Sequence, residues 1–366
     1  MSGGVSVEVT IYQEPCWVLE AAELVYGLVN GISAEKLAGK GPYCVPPEEV
    51  RRIQEAVCAG IDPGDKLVQF YFRGVALEGL AGRLSCLGCA LLYSTLAIGC
   101  SGTDAFARAV KEAWRRLQET GFRVNGIDGF SLNLEAAQEG EPLSLAGELA
   151  KLQAPPLYQM QLLEVFTAFD RHLDRVIALL RPVAEALPAY LAPWTGAIPV
   201  LTEQWGAFFH SQAAREFFLR RARIDGDEFL TLEIAFRFFS PQGSPGKYSG
   251  ALRRLSLHMG VGMQPGLDEP NPVQEPEEWE LTALRLLANA SRMEMLHAMM
   301  ERPMSGQELA QKLNLNSGTV FRDLNSLYNA RLLLVESGSG RNCYRLNLPV
   351  IRQIVDHVLH YLGDHT

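Results

Sequence analysis

The chain has 366 residues, 48% of them hydrophobic and 20% charged, the composition of folded domains rather than of a disordered or fibrous chain. Its length leaves room for two or three domains. The formal net charge of −9 excludes a uniformly basic nucleic-acid coat, but it is unevenly spread: from Leu281 onward nine Lys or Arg face seven Asp or Glu, so that part is +2 and the rest −11.

The opening MSGGVSVEV has neither a basic n-region nor an apolar h-region, and seven cysteines at irregular spacing fit reduced thiols in a cytoplasmic protein. VSVEVTIY alternates and is β-branched, so it predicts a strand, and Pro15 then leads into a helix over 16–29. Further helices are predicted at 47–59, 75–98, 103–120, 143–152, 157–180 and 203–222, with Pro182, Pro188 and Pro193 breaking the series. Residues 84–103 carry no charge for the length of a membrane span, but Gly99, Ser101 and Gly102 cluster as a terminator, so a buried helix ending near Ala97 is expected and no membrane span. Strands are predicted at 228–239 and 253–261, around a PQGSPG loop, closing a small sheet onto the helical body. Residues 264–278, QPGLDEPNPVQEPEE, are Pro-rich and acidic and read as a linker. The expected domains are therefore a body at 1–263 and a C-terminal unit at 279–366.

Within the body, Cys86 and Cys89 form a CxxC in SCLGCALL, with Cys100 beyond. A redox or soft-metal site is one reading, and core packing in apolar flanks is the preferred one. In FDRHLDRV, Asp170, His172 and Asp174 alternate, which suits a solvated face with Asp–Arg pairs. Trp205, Phe208, Phe209, Phe217 and Phe218 read as core before ligand pocket, and Arg220 to Arg223 as a solvated helix end. No Walker loop, GxGxxG after a strand, HExxH or GxSxG occurs, so neither an enzyme nor a cofactor is called for.

From Trp279 the pattern changes. Leu281, Leu284, Leu287, Met295, Leu296 and Met299 recur at helical spacing on either side of a break at 289–291, and Ser291 with Glu294 reads as a capping box. A second box, Ser305 with Glu308, opens GQELAQKL. After the turn NLN comes LNSGTVFRDLNSL, whose Val320, Leu324 and Leu327 can be buried while Asn316, Ser317, Thr319, Arg322 and Asn325 remain polar. Two strands at about 331–337 and 342–347, joined by a Gly338–Arg341 turn, and a final amphipathic helix PVIRQIVDHVLHYL complete the chain. The fold class is thus mainly α: a large helical N-terminal domain with a small β element, plus a C-terminal winged helix-turn-helix.

LANASR (Leu287 to Arg292), GTVFRDL (Gly318 to Leu324) and CYRL (Cys343 to Leu346), in that order, resemble the LADPTR, STVSRHL and YYRL stretches of the ArsR family of bacterial winged-helix regulators. The resemblance spans roughly the last 85 residues and implies a homodimer on double-stranded operator DNA, answering to a small-molecule effector or a protein partner. On it, Asn316, Ser317, Thr319, Arg322 and Asn325 are expected at base edges and phosphates, and Arg341 and Arg345 on the wing along the adjacent backbone. The sequence departs from the family at Phe321, where a small polar residue is usual, and at Asp323, where histidine is common and a carboxylate would repel phosphate. The family's metal-binding cysteines are missing from SGQELAQKL, and Asp356, His357, His360 and His365 on the last helix read as a solvated helix end before a metal site. The leading expectation is a DNA-binding transcriptional regulator. The alternatives are an enzyme or ligand carrier acting through the N-terminal domain, and a winged helix used for protein contacts.

Overall fold

The structure, a computed structural model, describes residues 7–76, 84–95, 97–120, 122–125, 131–134, 145–149, 154–211, 214, 217–218, 229–241, 243, 246–249, 253–265, 276, 278–338 and 341–362. In the body these form β1 (Glu8–Ile11), α1 (Trp17–Asn30), α2 (Ala34–Ala38), α3 (Pro47–Val57), α4 (Lys66–Phe72), β2 (Val75–Ala76), β3 (Leu84–Ser85), α5 (Leu87–Leu92), α6 (Thr103–Thr120), β4 (Phe122–Asn125), β5 (Ser131–Leu134), α7 (Leu145–Leu149), α8 (Pro156–Thr167), α9 (Phe169–Thr195), α10 (Ile198–Phe209), β6 (Thr231–Arg237), β7 (Gly246–Ser249) and β8 (Arg254–Gly260). The C-terminal part holds α11 (Glu278–Leu287), α12 (Ala290–Ala298), β9 (Met304–Ser305), α13 (Gly306–Leu313), α14 (Ser317–Asn329), β10 (Leu333–Gly338), β11 (Arg341–Leu346) and α15 (Leu348–Tyr361). The chain is mainly α, and its buried apolar side chains gather in two clusters, one running from Cys16 to Met263 and the other from Ala283 to Ile354. Of the expected 264–278 linker, only residues 264, 265, 276 and 278 are described.

The small sheet of the body is mixed, in the order β1-β6-β8-β7. β1 runs parallel to β6, Glu8 opposite Thr231, and β6 parallel to β8, Leu232 opposite Leu255. Both faces of β6 and β8 are buried along most of their length, as parallel strands require. The predicted first strand is therefore an integral edge of the sheet.

Arg237, the last residue of β6, is fully buried and ties the sheet to α1. Its Nε donates to Glu20 Oε1 at 2.9 Å, and its Nη2 donates to the Leu19 carbonyl at 3.0 Å and to Glu23 Oε1 at 3.3 Å. Nη1 donates to the Tyr93 hydroxyl. Glu20 also accepts the Phe238 and Phe239 N–H groups, each at 3.0 Å, so the carboxylate turns the chain as it leaves the strand. Burial alone would lower the Arg237 pKa, but Tyr93, Glu20 and Glu23 hold it well above the ordinary arginine value. Burial likewise pushes Glu23 up against the pull of Arg237.

Several sequence expectations are corrected. The helix predicted at 75–98 is instead the β2–β3 pair followed by the six-residue α5, so the uncharged run 84–103 is not one helix and α5 ends at Leu92, not near Ala97. Cys86 to Tyr93 are all buried. Pro182, Pro188 and Pro193 do not break the series: all three lie inside the 27-residue α9 on exposed positions, where water can serve the carbonyls their missing N–H groups leave. α9 is long and apolar enough by composition to cross a membrane, and its Leu173, Val176, Leu180, Leu187 and Leu191 are buried in the body's core. The CxxC lies in this core too, with Cys86 Sγ accepting the Cys89 N–H at 3.4 Å as the cap of α5, and none of the seven cysteines is in a disulfide. Asp170 and Asp174 pair with Arg115 and Lys111 of α6, while His172 is buried and its Nδ1 lies 2.8 Å from the Tyr71 hydroxyl. The Arg220 to Arg223 segment lies outside the described residues.

His258, on β8, is fully buried beside the Tyr93 ring, and neither of its ring nitrogens finds a hydrogen-bond partner among the described residues. Burial first, and the Arg237 charge second, push its pKa down to about 3.

Two outcomes follow from this core. Glu20→Ala leaves the Arg237 charge buried without its main counterion and should cost about 3–5 kcal/mol, read from urea denaturation as a lowered midpoint at unchanged slope. Because His258 stays neutral in the fold while the unfolded chain takes up a proton near pH 6.5, stability should fall as pH drops from about 6.5 towards 3, by up to about 1.4 kcal/mol per pH unit, and His258→Phe should flatten that slope.

Candidate nucleic-acid interface

α11 and α12 are separated at Asn289, whose side chain accepts the Arg292 N–H at 3.1 Å. Asn289 is thus the cap of α12, in place of the Ser291–Glu294 box expected from the sequence. Met295 and Leu296 of this helix are buried in the C-terminal core. The second box is present in full: Ser305 Oγ accepts the Glu308 N–H, and the Glu308 carboxylate accepts the Ser305 N–H at 2.8 Å. That backbone bond, followed by the Ser305 and Arg302 side chains, holds the Glu308 pKa below the usual carboxylate range.

The NLN turn explains itself residue by residue. Asn314 closes α13 in the left-handed region, φ 52°, which asparagine tolerates better than most side chains. Leu315 sends its N–H to the Ala310 carbonyl and packs its side chain on the core. Asn316 caps α14, its Oδ1 accepting the Gly318 and Thr319 N–H groups at 2.9 and 3.3 Å. α13 and α14 pack on each other, which makes a helix-turn-helix.

Around the axis of α14, at about 100° per residue, the side chains sort cleanly. Val320, Leu324 and Leu327 are fully buried. Arg322 lies on the opposite side and is exposed, with half-buried Thr319 and Asn325 flanking it. The Arg322 Nη2 donates to Thr319 Oγ1 at 3.3 Å, which lays the guanidinium along the outer face. Ser317 is exposed in the first turn, off the Arg322 arc. Asn316 is exposed too, but its Oδ1 is occupied by capping, so only its amide N–H groups face outward.

The wing is the antiparallel pair β10–β11, with Gly338 opposite Arg341 and Leu334 opposite Arg345. β9 adds a third strand on the other side of β11, a short element that the sequence reading did not contain. Arg341 opens β11 at the wing end, its side chain outside the described residues, as is the turn at 339–340. Arg345 is half-buried and sits towards the base of the hairpin rather than at its tip.

The two departures at 321 and 323 are resolved by packing. Asp323 does not stand on the outer face: its Oδ1 accepts Arg292 Nε at 2.8 Å, the two side chains being 15% and 25% exposed. The expected repulsion of phosphate by a bare carboxylate is therefore corrected. Phe321 lies against Gly306, the first residue of α13, where an added Cβ would sit 3.1 Å from the ring. Arg292 on α12 and Asp323 on α14 each lie in a stretch that resembles the family, but 31 positions separate them and no spacing rule joins them.

On the last helix, His357 is not part of a solvated end. It is 4% exposed, and its Nδ1 lies 2.8 and 2.9 Å from the two carboxylate oxygens of buried Glu280, fastening α15 to α11. Asp356 is exposed on another side, the His360 side chain and His365 lie outside the described residues, and among the described residues no three metal-binding side chains converge.

Comparison with known proteins adds one match. Residues 289–334 fit the family model of the bacterial regulatory proteins of the arsR family, from the Asn289 cap through α12, α13 and α14 into β10. The second strand of the wing and α15 lie beyond the matched span. No curated protein matches the chain.

Asn316→Ala removes the side-chain cap at the start of α14 and should cost about 1 kcal/mol, measured by urea denaturation of the full chain.

Proposed function

We propose that the chain is a transcriptional regulator that docks α14 in the major groove of double-stranded DNA as a homodimer, its N-terminal body receiving a small effector or a protein partner. The observation that carries this reading is the polar arc of exposed Arg322, flanked by half-buried Thr319 and Asn325, on the helix side opposite the buried Val320, Leu324 and Leu327. A guanidinium in that place suits the two acceptors of a guanine edge, and the amide of Asn325 suits an adenine edge. The first turn, with the exposed Ser317 hydroxyl at the positive end of the helix dipole, suits a phosphate. The arsR-type match over residues 289–334 supports the same use of this helix.

Pairing of two copies is supported by α15. Its inner side carries buried Val350, Ile354 and His357, whereas Leu348, Val355, Leu359 and Leu362 form an outward apolar stripe, 42% to 74% exposed. Such a stripe on a helix already seated in its own domain is suited to a second copy, and a two-fold dimer would place two α14 helices on half-sites about one helical turn of DNA apart. The acidic body would keep the molecule off DNA except through the winged helix.

Titration of a duplex selected from a random library should show affinity falling steeply with salt. Arg322→Ala should cost about 1–3 kcal/mol and relax preference at one base position, while Arg341→Ala should weaken all duplexes alike and reduce the salt slope by about one. Parent-like binding by both variants would rule out this interface.

A further inference from the structure

We propose that Arg292 and Asp323 are a positioning pair that sets the roll of α14, braced on the opposite flank by Phe321 against Gly306, so that the Arg322 arc is presented to bases in one orientation. The inference rests on the DNA-binding reading and deepens it. At about 100° per residue, Phe321 and Asp323 fall on the two shoulders of the buried face, with Arg322 between them on the outer side. One shoulder is held by the Nε–Oδ1 bond of 2.8 Å to α12, the other by an aromatic ring laid on the backbone of α13. Each shoulder is thereby fixed to a different helix.

The buried residues Val320, Leu324 and Leu327 fix how deeply α14 sits, but apolar contacts are non-directional and leave rotation about the axis weakly defined. A charge-assisted hydrogen bond is directional and short, and this one is sheltered enough to be screened less than a surface pair. With the helix surface about 5–6 Å from the axis, a roll of about 20° moves a group at that surface by about 2 Å, more than the roughly 0.5 Å tolerance of a specific contact. Phosphate contacts survive such a shift better than base contacts do. The pair also occupies the Asp323 carboxylate, so the face next to phosphate carries Arg322 without an opposing bare charge.

The test measures the ratio of affinities for a library-selected duplex and for a scrambled duplex, at one salt concentration, in the full chain. Arg292→Gln and Asp323→Asn should each lower that ratio about tenfold, the worth of one well-placed base contact, while scrambled-duplex affinity falls slightly in Arg292→Gln, which bares the carboxylate, and rises slightly in Asp323→Asn, which frees the guanidinium. The exchanged pair, Arg292→Asp with Asp323→Arg, should recover most of the ratio. A merely stabilising pair would lower the melting temperature and leave the ratio intact. Parent-like ratios in both single variants, or an exchanged chain no better than either, would overturn the proposal. If a single variant does not fold, Arg292→Lys keeps the charge without the Nε–H: a reduced ratio supports the pair and a parent ratio sinks it. A parent chain that selects no duplex at any salt removes the DNA-binding reading and this inference with it, an outcome distinct from a parent that binds and variants that do not differ.

Discussion

The packing of Val320, Leu324 and Leu327 into the C-terminal core is the constraint on which the site depends. A helix of 13 residues exposes a polar face only because its other face is committed, and that commitment decides which residues are available to a partner. Asn314, Leu315 and Asn316 serve the same end from the other side of the turn: one residue reverses the backbone, the next is buried, and the third closes the new helix. α11 and α15 complete the enclosure through Glu280 and His357, while Arg331, left-handed at φ 64°, lays its guanidinium 4.3 Å over Trp279 just after α14 ends.

Much of this was legible beforehand because it is local. Ser305–Glu308, the apolar period of α14 and the two wing strands each draw on residues within a few positions of one another. At 289–291 the cap is Asn289 rather than Ser291, two residues earlier than the capping-box pattern places it. The Arg292–Asp323 pair joins residues 31 positions apart, and only the fold shows them meeting.

The body was less legible for a different reason. Segment 86–93 is buried on every side, so it carries no period from which a helix or strand could be read. The prolines of α9 reversed their usual meaning because solvent meets them all. Glu20 and Arg237 are 217 residues apart, and neither stands out in sequence, yet together they hold α1, the end of β6 and Tyr93. The CxxC, the most conspicuous local motif of the body, proved to be helix capping within a packed interior.

The parallel pairing of β1 with β6 has a bearing on how the molecule is made. Tyr12, just past β1, reaches Glu233 across 221 positions of sequence, so on a ribosome the first strand emerges long before its neighbour exists. The body must stay open until β8 has been synthesised, whereas the strands and helices after Glu278 find their partners nearby and can close quickly. A nascent chain would therefore hold an unmated edge through most of translation, and helper proteins that shield such edges would matter more to the front of this protein than to its tail.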